Sequence, residues 1–285
     1  MVGSGHGVVR PLGSAQRQEA LRLCERDPVA NVYVAARILE TDLDRSRDAL
    51  LGYYPPGADR LSALCWRSAN VVPAECGADA SQAFAMALRE HEPRCSSIFG
   101  PTQAVAQLWQ VLGASWHRPL DVRPVQPLMA IPPDRPLRIR LDPRVRPARI
   151  EETDLLTPAA AAMFTEEIGY APYADRGGQA TYRNSVRALI ARGHAFVLVD
   201  DGQVVFKADV GSAAIGTCQL QGVWVAPEHR GTGLAAPAMA ATVELVRATV
   251  APLVTLYVND YNEAAVATYR RVGFERVGTF STILM

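Results

Sequence analysis

Apolar and polar positions alternate with two different periods along the second half of the chain. "DLLTPAAAAMFTEEIG" starts with Asp154 placed as an N-cap and ends at Gly169 as a stop, which predicts a helix. "TYRNSVRALIARG" sets Tyr182, Val186, Leu189 and Ile190 on one face and ends at Gly193, which predicts a second helix. The period then shortens to two. "AFVLVDDGQVVFKADV" reads as two strands joined by Asp201-Gly202, a strong hairpin signal. "RPARIEET" (Arg146 to Thr153) and "TCQLQGVWV" (Thr217 to Val225) read as further strands. A glycine-containing stretch follows, then a helix to about Thr249, a strand over Leu253 to Asn259, a helix "NEAAVATYRRVGF" stopped by Gly273, and a closing strand "GTFSTILM".

The first half repeats this order less sharply. "AQRQEALRLCERDPVANVYVAARILE" is helical with a break near Pro28, "LLGYY" and "LSALCWRSANVVPAEC" read as strands, and "SQAFAMALREHE" as a helix. "SSIFGPTQAVAQLWQVLG" mirrors "VTLYVNDYNEAAVATYRRVG": each is strand, turn, amphipathic helix and glycine stop, with Trp109 and Tyr269 each four residues before the glycine. This parallel predicts an internal duplication. Between the halves, Ile131 to Pro147 holds five prolines and five arginines in 17 residues, a density that forbids regular helix and marks a connection. The expected domains are 1–140 and 141–285, in a mixed α/β fold.

Composition narrows the classes. Of 285 residues 49% are hydrophobic, enough for a sizeable core, and Lys plus Arg equals Asp plus Glu at 29 each. Balanced charge gives no reason to expect nucleic acid. The five cysteines (Cys24, Cys65, Cys76, Cys95 and Cys218) form no C-x-x-C pair and read as reduced thiols. His91 and Cys95 share a helix-like interval but lack two further ligands, so no metal is expected. "MVGSGHGVVRPLGS" has no apolar core of a signal peptide, and no apolar run suits a membrane span. The expectation is a cytoplasmic protein.

The chemistry concentrates in "VAPEHRGTGLAAPAM", Val225 to Met239. A strand, a loop, Gly231 and Gly233, then a helix start place free N–H groups and a helix dipole where an anion would sit. Arg230 can add charge-assisted bonds to phosphate oxygens. One reading is a glycine turn that merely starts a helix. A second takes Gly231, Gly233 and Ala236 as G-x-G-x-x-A, a dinucleotide fingerprint. The loop from Ala226 to Arg230 then separates strand from glycine, and no acid follows at the required distance.

A third reading uses the whole second half. "VWVAPEHRGTGLA", with Arg230, Gly233 and Ala235 as R-x-x-G-x-A after a strand, resembles the acetyl-CoA signature of the GNAT superfamily of N-acetyltransferases. "LYVNDYNEAAVATYRRVGFERVG" resembles that family's next block, and the likeness runs from about Val145 to Met285. A degenerate first copy followed by a second with the motif resembles the tandem GNAT proteins of actinobacteria, mycothiol synthase among them. The resemblance implies two GNAT-like domains, each a mostly antiparallel central sheet flanked by helices.

It also implies acyl transfer from acetyl-CoA to a primary amine of a small molecule or protein. Cofactor contacts would come from Val223, Trp224, Val225, Arg230, Gly231, Thr232, Gly233, Leu234, Ala235 and Asn262, with the Val225 backbone as oxyanion donor and Tyr269 as general acid. Asn262 reads equally as a helix cap. For the base, Glu166, Glu167, Asp209 and Glu228 stand as candidates, Glu166 first, and "TEEIGYAPY" with Tyr173 is the expected acceptor segment. Trp109 has no hydroxyl, so the first copy lacks the same acid. Expected partners are acetyl-CoA and an amine acceptor, with a homodimer open, and neither nucleic acid nor membrane. A non-enzymatic acyl-CoA sensor and a mycothiol synthase-like enzyme are the alternatives.

Overall fold

The computed structural model describes residues 7–46, 48–89 and 95–285; His91 lies outside them. The chain forms two compact units. One comprises Met1–Met129, Tyr257–Tyr261 and Arg276–Met285; the other comprises Ala130–Leu256 and Asn262–Glu275.

In the first unit, β1 (Val8–Pro11) leads through α1 (Arg17–Cys24) and α2 (Pro28–Glu40) to β2 (Leu50–Tyr54), β3 (Ala63–Arg67) and β4 (Asn70–Ala74). Then come α3 (Ala78–Arg89), β5 (Ser97–Pro101), α4 (Thr102–Leu112) and β6 (Asp121–Ile131). The break near Pro28 is a new helix start: Asp27 accepts the Ala30 N–H at 3.0 Å. Strands β1 to β4 pair antiparallel in order, and β5 joins β4 in parallel. The core gathers Phe84, Leu88, Val105, Leu108 and Leu112 from α3 and α4 against Cys65, Val71 and Ile98 of the sheet.

The second unit repeats the plan. Strand β7 (Arg146–Pro147) leads through α5 (Thr153–Ile168) and α6 (Arg176–Ala191) to β8 (Ala195–Asp200), β9 (Gln203–Ala214) and β10 (Thr217–Val225). These are followed by α7 (Ala235–Thr249), β11 (Leu253–Tyr257) and α8 (Glu263–Val272). Again the strands pair antiparallel in order, until β11 joins β10 in parallel. Strand, two helices, three strands, helix, parallel strand, helix is thus built twice, each a mixed α/β layer structure with a mostly antiparallel sheet. Among the described residues no helix is long and apolar enough to cross a membrane.

Several local expectations shift. The strand expected over Arg146 to Thr153 is confined to Arg146–Pro147, because Ile150–Glu152 turns as a short 3-10 segment. The helix therefore starts at Thr153, and Asp154 is not its N-cap; it sits in the first turn and accepts two hydrogen bonds from Arg183 (2.5 and 3.0 Å). Helix α6 begins earlier than its apolar stripe, at Arg176, because Asp175 caps it through the Gly178 N–H at 2.7 Å. Asp201 and Gly202 both take positive φ (+46° and +74°), as a two-residue hairpin requires. Strands β1 and β6 have no counterpart in the pattern; Pro124 and Pro127 break the alternation of β6.

The closing strand β12 (Glu275–Leu284) exists as expected, and Arg276–Leu284 of it belong to the first unit. It lies antiparallel to β5 in the first unit, with Phe280 opposite Pro101 and Leu284 opposite Ser97. Alternation announces a strand and its buried face, and it carries no address for the neighbour.

Candidate functional site

The site grows from the end of β10. Its parallel ladder with β11 runs over Thr217–Gln219 against Leu253–Thr255 and goes no further. Its antiparallel ladder with β9 continues to Val225, opposite Phe206. The Ala226 N–H donates to Val205 O at 2.9 Å, so Ala226 faces β9. Strand alternation turns the N–H and C=O of Val225 to the other edge. There the Arg230 Nε donates to Val225 O at 3.0 Å. A cleft of about 600 Å³ opens along this edge, entirely within the second unit.

Eleven of the residues anticipated from the sequence line this cleft: Glu166, Val223, Trp224, Val225, Arg230, Gly231, Gly233, Leu234, Ala235, Asn262 and Tyr269. Thr232 does not line it; its hydroxyl donates to His229 O at 2.8 Å and braces the loop. Gly231 and Gly233 take φ of +75° and +88°, left-handed conformations that a side chain would resist, and no atom lies within 4 Å of where a Cβ would stand. Helix α7 makes its first bond from the Ala238 N–H to Leu234 O (3.1 Å), so the amides before it stay outside the helical ladder. Pro237, without an N–H, falls where an α-helix has none to satisfy.

Arg271, which lies outside the motif, and His229, which lies within it, also line the cleft, with Met239 and Thr268 on its walls. Thr268 and Arg271 were readable in principle, since they follow Asn262 and Ala264 at helical spacing on α8. Free amides, glycine backbone and three basic side chains around one elongated space fit a pyrophosphate ester carrying an apolar arm.

Glu166 of α5 meets this site from the other side. One carboxylate oxygen accepts the Trp224 Nε1–H at 3.1 Å, and the other accepts Arg230 Nη2 at 2.7 Å. Beside it on α5, Phe164 packs edge-on to Tyr170 and Tyr182, and Tyr182 in turn contacts Tyr173. The expected acceptor segment is thus folded into an aromatic cluster. Glu228 sits on the exposed turn Pro227–His229, and Asp209 is buried in an ion pair with Lys207.

Tyr269 projects from α8 into the cleft wall and is only 7% exposed. Burial, and secondarily the charge of Glu167, pushes its phenol above the ordinary range, so it stays protonated. Gly273 at φ +125° lets the chain reverse so that Phe274 packs edge-on against the Tyr269 ring. Asn262 acts as the helix cap, its side chain accepting the Ala265 N–H at 3.2 Å.

The matching turn of the first unit is differently built. β4 ends at Ala74, Glu75 takes a positive φ of +56°, and α3 starts at Ala78. Trp109 there packs against the apolar core.

The strand-edge cleft, with glycine backbone and Arg230 at one helix start and the Tyr269 phenol on the next helix, lies wholly within a segment that matches a known family. Residues 160–274 match the family model described as Acetyltransferase (GNAT) family. Residues 160–274 thus carry a GNAT acetyltransferase domain and the protein is an acyltransferase; acetyl-CoA is the co-substrate that family uses. Residues 49–156 match a model described as a domain of unknown function, DUF4081. Solved structures share the fold across nearly the whole chain. A GNAT-family acetyltransferase from Colwellia psychrerythraea is 12% identical with a TM-score of 0.60, covering 98% of this chain and 99% of its own. A GCN5-related N-acetyltransferase from Sphaerobacter thermophilus is 15% identical with a TM-score of 0.61, covering 97% and 94%. A tandem GNAT protein from the clavulanic acid biosynthesis pathway is 14% identical with a TM-score of 0.56, covering 98% of each chain. No curated protein matches the sequence.

Proposed function

We propose that the second unit transfers an acetyl group from acetyl-CoA to a primary amine, and that the first unit has no catalytic role. The observation that carries this is the gathering of Arg230, Gly231, Gly233, Val225 and Tyr269 on one cleft of a GNAT domain. Acetyl-CoA supplies the thioester carbonyl. The amides from Gly231 to Ala236, with Arg230, hold its pyrophosphate. Val223 and Val225 present backbone to the pantetheine arm, and the Val225 N–H faces the carbonyl oxygen as it gains charge. One such donor is worth about 3–4 kcal/mol in the transition state.

The acceptor nitrogen attacks the carbonyl carbon, the C–S bond breaks, and the amine gives up a proton. Glu166 is the candidate carboxylate on the cleft itself, and we assign it that proton. In the ligand-free protein Arg230 holds one of its oxygens. When Arg230 turns to phosphate, the carboxylate is released to serve the amine. Tyr269 donates a hydrogen bond to the departing sulfur. A phenol of pKa above about 10 transfers its proton uphill to a thiolate of about 8.5, so its contribution is stabilisation during bond breaking, with solvent completing the protonation. The acceptor is a small-molecule or protein amine in the cytoplasm.

The test is release of free CoA thiol from acetyl-CoA against a panel of amines, with Tyr269→Phe in parallel. An enzyme loses rate in the variant with cofactor affinity kept. A protein that binds acetyl-CoA with no turnover on any amine would be a sensor.

A further inference from the structure

The chain has one lysine, Lys207; every other member of its 29 Lys plus Arg is an arginine. That lysine is among the most buried side chains, 1% exposed, on the central strand β9. Its Nζ donates to Asp209 Oδ2 at 2.5 Å and to the backbone oxygen of Gly222 at 2.9 Å. Lys207 and Asp209 are two apart on a strand and share one face of the sheet, towards α5. Met163 of α5 is close enough that a Cβ on Gly222 would lie 3.2 Å from its Cε.

Gly222 is the point where β10 leaves register. Gln221 stands opposite Asp209 and Trp224 opposite Lys207, so β10 spends one residue more than β9 over this span. That is a β-bulge, and Gly222 takes φ +58° within it. A carbonyl displaced from the ladder in a partly buried place needs another donor, and the ammonium provides it. A Cβ at Gly222 would fall 2.9 Å from Asp209 Oδ2 and 3.0 Å from Lys207 Nζ, so glycine backbone and ion pair fit against each other. A planar guanidinium is too large and wrongly shaped for this point contact, which accounts for a lysine in a chain that otherwise uses arginine.

The bulge immediately precedes Val223, Trp224 and Val225, the cleft-lining end of β10. We infer that Lys207 and Asp209 form a positioning pair: by pinning Gly222 they set the direction in which Val223 and Val225 offer their backbone to the cleft. Neither touches a reacting atom. The catalytic consequence rests on the acetyl-transfer reading above; the structural one does not.

The test uses the full chain with Lys207→Met and with the double variant Lys207→Met/Asp209→Asn, which leaves no lone buried charge if the single variant fails to fold. Amide hydrogen exchange of Trp224 and Ala226, the residues of this segment that face β9, is read without ligand. The variants should exchange there at least about tenfold faster, with the β8–β9 hairpin amides unchanged. With acetyl-CoA and an accepted amine, kcat should fall about a hundredfold, as for a misplaced reacting group. Acetyl-CoA affinity, set mainly by the loop and α7, should stay within about threefold. A folded double variant with wild-type exchange at Trp224 and Ala226 overturns the inference, as does one that keeps wild-type kcat. If the unaltered protein turns over no amine, the acetyl-transfer reading fails, and exchange alone still decides whether the pair holds the bulge.

Discussion

Replacing Glu166 with Gln should tighten acetyl-CoA binding and slow turnover at once. In the ligand-free protein the Glu166 carboxylate holds Arg230 at 2.7 Å and Trp224 at 3.1 Å. Both Glu166 and Arg230 are close to half exposed (46% and 47%), so water screens the pair and its worth is that of a surface bridge, about 0.2–1 kcal/mol. A pyrophosphate that recruits Arg230 must first offset that amount. Gln keeps the size and an acceptor for the Trp224 N–H while removing the charge. Acetyl-CoA affinity should therefore rise, by no more than about fivefold, since about 1 kcal/mol corresponds to that factor. The amide cannot take a proton, so kcat should fall about a hundredfold or more. Calorimetry with acetyl-CoA reads the first change and steady-state thiol release the second. Weaker binding, or an unchanged kcat, would refute the partner exchange of Arg230 or the base assignment respectively.

Other substitutions separate roles that share one residue. Tyr269→Phe should lower kcat and leave the acetyl-CoA dissociation constant within about threefold; a matching loss in affinity would make the ring a binding element. Asn262→Ala should cost about 1 kcal/mol of stability in denaturant melts, the worth of a cap, and hardly change cofactor affinity; a large affinity loss would assign the amide to the ligand instead. Alkaline stability carries a sign. Burial raises the Cys24, Cys65 and Cys218 thiols from 9.0 to about 12, so the unfolded chain releases protons the native state keeps. Stability should be full below pH 9 and fall steadily towards pH 12, and a flat melting temperature over that range would contradict the burial of these thiols.

What the sequence discloses and what it hides follow from the range of each signal. The turn chemistry of Asp201-Gly202, the positive-φ glycines at 231 and 233 and the cap at Asn262 are local, and each sits where its own residues require. The periodic segments also announce a fold built twice. Partners distant in sequence leave no such mark: Glu166 reaches Arg230 across 64 positions. Asp209 stands in the sequence as a base candidate and Lys207 carries no local signal, whereas the structure joins them to Gly222 in a buried tie. Strand β12 shows its alternation and conceals that its neighbour is β5. Boundaries at 140 and 141 assume two continuous segments; the compact units trade short pieces, with Tyr257–Tyr261 and Arg276–Met285 grouped with the first.

The central claim is that the glycine loop before α7 cradles the phosphates of acetyl-CoA. Calorimetric titration of the full chain with acetyl-CoA, beside Gly233→Asp, tests it most directly. The variant places a negative side chain at a left-handed position open to the cleft. The account predicts one-site binding to the unaltered protein and its loss in a variant that remains folded. Equal binding by both proteins, or none by the unaltered one, would contradict it.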